Sequence, residues 1–151
     1  MVRQRSILSL ILVFVTTFLI SCGGPSVATP PPTYTETQLV KIQEYIPEIQ
    51  AVQDRSQELK TLIESSEWIK VGNFIHGPMT EARLNMTYIL PNLLPQDQAK
   101  ARKITKDLLS HLVKIDQAAT SGKANQALSG YSDAFVDVDK FLQLIPDTVD
   151  S

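Results

Sequence analysis

The chain predicts an all-α fold: an up-down-up-down antiparallel four-helix bundle, preceded by a signal peptide and a proline-rich tether. Three observations predict it. Beyond Thr35, apolar residues recur at intervals of three and four in four successive blocks. No block shows a convincing period of two, and β-branched residues are scattered. The gaps between blocks are short, which makes consecutive helices antiparallel neighbours. Isolated helices are marginal in water, so the four apolar stripes must pack on one another.

The first element is not part of the bundle. Arg3 and Arg5 precede an apolar run from Ile7 to Ile20, broken only by Ser9, Thr16 and Thr17. Basic, then hydrophobic, then small is the layout of a secretory signal. A spanning helix needs about 20 apolar residues. This run is shorter and has no charged flank after it, so a transmembrane anchor is the weaker reading. The run ends in Leu19-Ile20-Ser21-Cys22, which resembles a bacterial lipobox. That resemblance implies that Cys22 receives a thioether-linked diacylglycerol and becomes the first residue after cleavage behind Ser21. The alternative is an ordinary signal peptide with a stray thiol. Cys22 is the only cysteine in the chain, so it has no internal disulfide partner.

The expected domains are therefore residues 1–21 (removed signal), 22–34 (lipidated tether) and 35–151 (bundle). Removing Arg3 and Arg5 leaves 12 of the 14 basic residues against all 16 acidic ones, a formal net charge of −4. That excludes the strong basic excess of a nucleic-acid binder. The tether, "GGPSVATPPPTY" from Gly23 to Tyr34, has no apolar periodicity, and its prolines favour an extended, semi-rigid spacer.

The four helices follow. "TETQ" from Thr35 to Gln38 fits a capping box and opens the first, whose stripe is Leu39, Ile42, Ile46, Ile49, Leu59, Leu62 and Ile63, with a gap in the middle. Pro47 should kink this helix or make its first part irregular. Ser66 is the expected cap of the second segment. Trp68, Ile69, Phe74 and Ile75 are its early apolar residues, Gly77-Pro78 breaks it, and Pro78 suits the first turn of a restarted helix. Met79, Ala82, Met86, Ile89, Leu90 and Leu93 continue inward. The third helix opens near Pro95, with a stripe of Ala101, Ile104, Leu108, Leu112, Ile115 and Ala119, and Gly122 closes it in the left-handed conformation. The fourth runs from about Lys123 to Leu144 with Ala127, Tyr131, Ala134, Val138, Phe141 and Leu142 inside, and Pro146 stops it.

Sequence patterns for chemistry are sparse. There is no HExxH, no glycine-rich phosphate loop and no Ser-His-Asp set recognisable in order, which argues against an enzyme. His76 beside the Gly-Pro break either orients that turn or touches a partner. His111 lies four residues after Asp107 with Asp116 beyond. The Asp107–His111 pair could hold a divalent ion weakly, although stable zinc sites generally need four ligands and a solvated pair is the plainer reading. Asp133 and Asp137 repel one another unless a cation or Lys140 relieves them. Trp68 reads as a packing residue with an interface role open, together with Phe74. Lys100, Arg102, Lys103, Lys106 and Lys114 make the third helix basic within an acidic chain. They form either a solvated face or a docking surface for an acidic partner.

Taken together, the lipobox with its proline-rich lead, "WIKVGNFIHGPMTEARLNM" (Trp68 to Met86), "LLPQDQAKA" (Leu93 to Ala101) and "YSDAFVDVDKFLQLIP" (Tyr131 to Pro146) resemble the PsbQ-like extrinsic lipoproteins of cyanobacterial photosystem II. The resemblance covers essentially the whole chain. It implies a non-catalytic four-helix subunit, held by lipid on Cys22 at the lumenal face of the thylakoid membrane and contacting lumenal photosystem II subunits. It implies a role in assembly, in stability of the oxygen-evolving side, and in retention of calcium and chloride. No cofactor is required. Some relatives bind surface zinc through His and acidic residues, to which only His76, His111, Asp107 and Asp116 can be matched here. The alternative class is a lipid-anchored periplasmic or lumenal bundle that binds a metal or small ligand.

Overall fold

The computed structural model describes residues 32–146, and the expected signal, Cys22 and most of the tether lie outside them. Six helices build four rods. The first rod is α1 (Glu36–Asp54) followed by α2 (Ser56–Glu64). The second is α3 (Trp68–Phe74), a π-helical turn (Ile75–Met79), α4 (Thr80–Ile89) and a short 3₁₀ turn (Leu90–Asn92). The third is α5 (Pro95–Thr120) and the fourth α6 (Ala124–Leu142). Each rod packs on its chain neighbour, and the fourth returns to the first, which closes the expected four-helix bundle. Among the described residues there is no strand, and no helix is long and apolar enough to cross a membrane.

The capping box forms as expected. The Gln38 backbone N–H donates to Thr35 Oγ1 (3.3 Å), and the Thr35 N–H donates to Gln38 Oε1 (2.9 Å). Pro47 does not make the first part of α1 irregular. It is exposed, so its missing donor and ring face solvent, while Ile42, Ile49 and Val52 are buried on the opposite side. The interruption falls instead at Arg55, between α1 and α2. That position is the gap in the apolar stripe.

Ser66 closes α2 and does not cap α3. It adopts a left-handed φ of 56°, the Glu67 N–H reaches back to the Leu62 carbonyl (2.9 Å), and the Ser66 N–H to the Ile63 carbonyl (3.0 Å). This is a Schellman motif with serine where glycine is usual. The same motif ends α5, where Gly122 holds φ 64°, the Lys123 N–H donates to the Ala118 carbonyl (2.9 Å) and the Gly122 N–H to the Ala119 carbonyl (3.1 Å). α3 begins without a side-chain cap.

Gly77-Pro78 does not break the second rod. Pro78 has no N–H for the carbonyl four residues back, and the ladder is rescued by one π-turn, in which the Thr80 N–H donates to Ile75 O. Thr80 Oγ1 donates to the same carbonyl at 2.9 Å. The extra residue in this turn keeps Ile75 and Met79 both buried ahead of Ala82, Met86 and Ile89.

The expected stripe of α5 is buried in full: Ala101, Ile104, Leu108, Leu112, Ile115 and Ala119. In α6, Ala127, Ala134, Val138 and Phe141 are buried, while Tyr131 and Leu142 pack against the core from its edge. The contact between α5 and α6 is the most extensive between any two helices of the bundle. A Cβ on Gly130 would lie 2.9 Å from Ile115 Cγ1 and 3.3 Å from the His111 carbonyl oxygen, so only glycine lets the two backbones approach this closely. One inward expectation fails: Ile69 is 84% exposed.

Candidate functional site

Most of the titratable side chains singled out in the sequence lie along α5, the longest helix. Its inner stripe fixes its rotation against α4 and α6, so residues on its two flanks face those neighbours. On the α6 flank, His111 Nδ1 and Asp137 Oδ2 are 2.8 Å apart. Asp137 is one of two buried polar residues among those described, the other being Thr105, whose hydroxyl donates to the Ala101 carbonyl at 3.0 Å. A buried carboxylate needs such partners, and Lys140 Nζ adds a second at 4.0 Å. On the other flank, His76 Nε2 and Asp116 Oδ1 are 2.9 Å apart, in an exposed pair that ties the π-turn to α5.

These pairings correct the expected metal set. His111 turns to Asp137 and away from Asp107. Asp107 instead accepts a hydrogen bond from Lys103 one turn earlier, which holds its carboxyl below the ordinary value and raises the Lys103 amine. His76, Asp116, His111 and Asp107 thus fall into three separate pairs. Among the described residues, no group of three or more His, Cys, Asp or Glu side chains comes together to hold an ion. Neither histidine has a Ser, Thr or Cys hydrogen-bond partner among the described residues, so neither pair is set up to activate a nucleophile.

The repulsion expected between Asp133 and Asp137 is relieved from across the hairpin. Lys114 Nζ donates to Asp133 Oδ2 (3.2 Å) and to Ser129 Oγ (3.0 Å), while Asp137 takes His111. The sequence flagged Asp137, but as a member of a carboxylate pair on its own helix. Its real partner is 26 residues away, and a within-helix spacing rule carries no information about it.

The basic cluster divides in two. Lys103 and Lys114 are engaged by Asp107 and Asp133. Lys100, Arg102 and Lys106 are exposed and have no ion-pair partner among the described residues. Phe74 is not available as a contact surface: it is 3% exposed, and the Arg55 guanidinium lies 4.8 Å above its ring. Arg55 also forms an ion pair with Glu58 at 2.8 Å, which raises the arginine's pKa and lowers that of the carboxyl. Trp68 is half-buried, packs on the core and stands close to Gly122. Cys22 lies outside the described residues.

Among the described residues, the geometry defines a four-helix bundle with no recognisable reaction centre, and with three unpaired cations, Lys100, Arg102 and Lys106, displayed on the third rod. The chain belongs to the PsbQ family: the family model described as oxygen evolving enhancer protein 3 matches residues 2–146. It is also 40% identical over 147 residues to CyanoQ of Synechocystis sp., an alignment that covers 97% of this chain and 98% of that protein. The resemblance drawn from Trp68–Met86 and the flanking stretches is therefore a family relationship.

Proposed function

We propose that this protein is a non-catalytic extrinsic subunit on the lumenal side of photosystem II, tethered to the thylakoid membrane through lipid on Cys22. The family match over nearly the entire chain carries this reading. The geometry agrees with it: histidines spent on inter-helix carboxylate pairs serve packing, and the residues left for contact are on the surface. The subunit acts by docking. It supports assembly and stability of the oxygen-evolving side and slows the loss of calcium and chloride, and it does no chemistry itself. It requires no cofactor. Zinc at His76 and Asp116 would have two protein donors and would bind weakly, since stable sites need four ligands.

Co-purification tests the reading. Under gentle extraction, the protein should be enriched in oxygen-evolving photosystem II, and complexes from cells that lack it should lose activity faster when calcium and chloride are withdrawn. Absence from gently extracted complexes would favour the other class, a lipid-anchored bundle that binds a metal or small ligand.

A further inference from the structure

Residues 102, 106, 109 and 113 follow the i, i+4, i+7, i+11 spacing that places side chains in one line along a helix. In α5 these are Arg102, Lys106, Leu109 and Val113. The two cations have no ion-pair partner among the described residues, whereas Lys103 and Lys114, on the opposite flank, do. The two apolar residues are 44% and 45% exposed, and they border a small depression between the π-turn and α5 that Ile75, Thr80, His76 and Asp116 complete. A solvated helix face would carry polar residues at 109 and 113 and would place its cations beside acids.

We propose that this line of α5 is a docking ridge for an acidic protein segment. Carboxylates of the partner meet Arg102 and Lys106, and an apolar side chain one or two turns further along covers Leu109 and Val113 and enters the depression. Charge complementarity selects this occupant. In a self-complementary contact a second copy of the chain would face this line with the same line, which carries two cations and no free carboxylate to meet them. An anionic membrane surface is drawn by clusters of four to eight cations, and this line offers two. The titratable residues lining the depression are His76 and Asp116, which are hydrogen-bonded to each other. The inference deepens the docking function proposed above and rests on it.

The test uses the full chain in its own cells, with a photo-crosslinking amino acid placed at Val113 and, as control, at the exposed Gln57 of α2. The expected result is an adduct at 113 and not at 57, whose peptide is acidic. Its yield should fall about tenfold when Arg102→Glu and Lys106→Glu are combined, and should hold when Lys60→Glu and Lys123→Glu are combined. Circular dichroism verifies that each variant is folded. If the peptide belongs to a photosystem II subunit, the ridge and the proposed function both stand. If it belongs to an acidic protein outside photosystem II, the ridge stands and the proposed function fails. An adduct at 113 no stronger than at 57, an adduct to lipid or to another copy of this chain, or a yield indifferent to charge reversal would overturn the ridge.

Discussion

Ser66 shows how much conformation a single residue can be asked to carry. Its φ of 56° lies in the region that costs a non-glycine residue about 1–2 kcal/mol, and here the cost is met by two backbone hydrogen bonds that close α2. At the equivalent position after α5, Gly122 adopts nearly the same φ without that cost. Ser66→Gly should therefore stabilise the bundle by about 1 kcal/mol, and Gly122→Ala should destabilise it by a similar amount. Urea melts of the two variants check both signs. The sequence placed Gly122 correctly because glycine after an apolar stripe is a helix stop. It misassigned Ser66 because serine before a new stripe is a favoured helix start, and only the backbone path distinguishes the two uses.

At the scale of the helix, α5 is held by the two histidine pairs and by its stripe, and these are unequal. The His111–Asp137 pair has a carboxylate side chain only 6% exposed, while in the His76–Asp116 pair the figures are 69% and 39%. Asp137→Ala should cost about 1–3 kcal/mol, because it leaves His111 Nδ1 without its partner at the packed hairpin. His76→Ala should change stability by less than about 0.5 kcal/mol. Thermal melts at fixed pH separate them. Leu112, 3% exposed, tests the stripe itself: Leu112→Ala should cost about 2–5 kcal/mol in urea melts. A near-zero change would mean that α5 is rotated away from the register described.

For the molecule as a whole, anchoring and docking are separable. Cys22→Ser should yield a protein without lipid by mass spectrometry that a salt wash strips from membranes, since surface charge contacts are screened over about 8–10 Å at physiological ionic strength. The unaltered protein should stay bound through the same wash. Retention of the variant equal to that of the parent, with no lipid on the parent, would reject the anchor. Leu112→Ala acts on folding and Cys22→Ser on location, so their effects should add without coupling.

The sequence alone determined the rods and most of the core. Stripes such as Ala101–Leu108–Ile115 and Met79–Met86–Leu93 follow helical spacing because each must bury one face, and burial needs no knowledge of the partner. It determined the family as well, through stretches that hold over nearly the full length. What only the tertiary structure decided depends on partners distant in the chain. Asp137 belongs to His111 and not to Asp133, and Phe74 lies beneath Arg55. The close approach at Gly130 is set by Ile115 on another helix. Pro47 and Pro78 were expected to interrupt their rods. One is exposed on the solvent side of a packed helix, and the other is absorbed by a π-turn, because buried contacts on either side outweigh one lost backbone hydrogen bond. Local propensity proposes where a helix should stop, and the packing of the whole bundle decides whether it does.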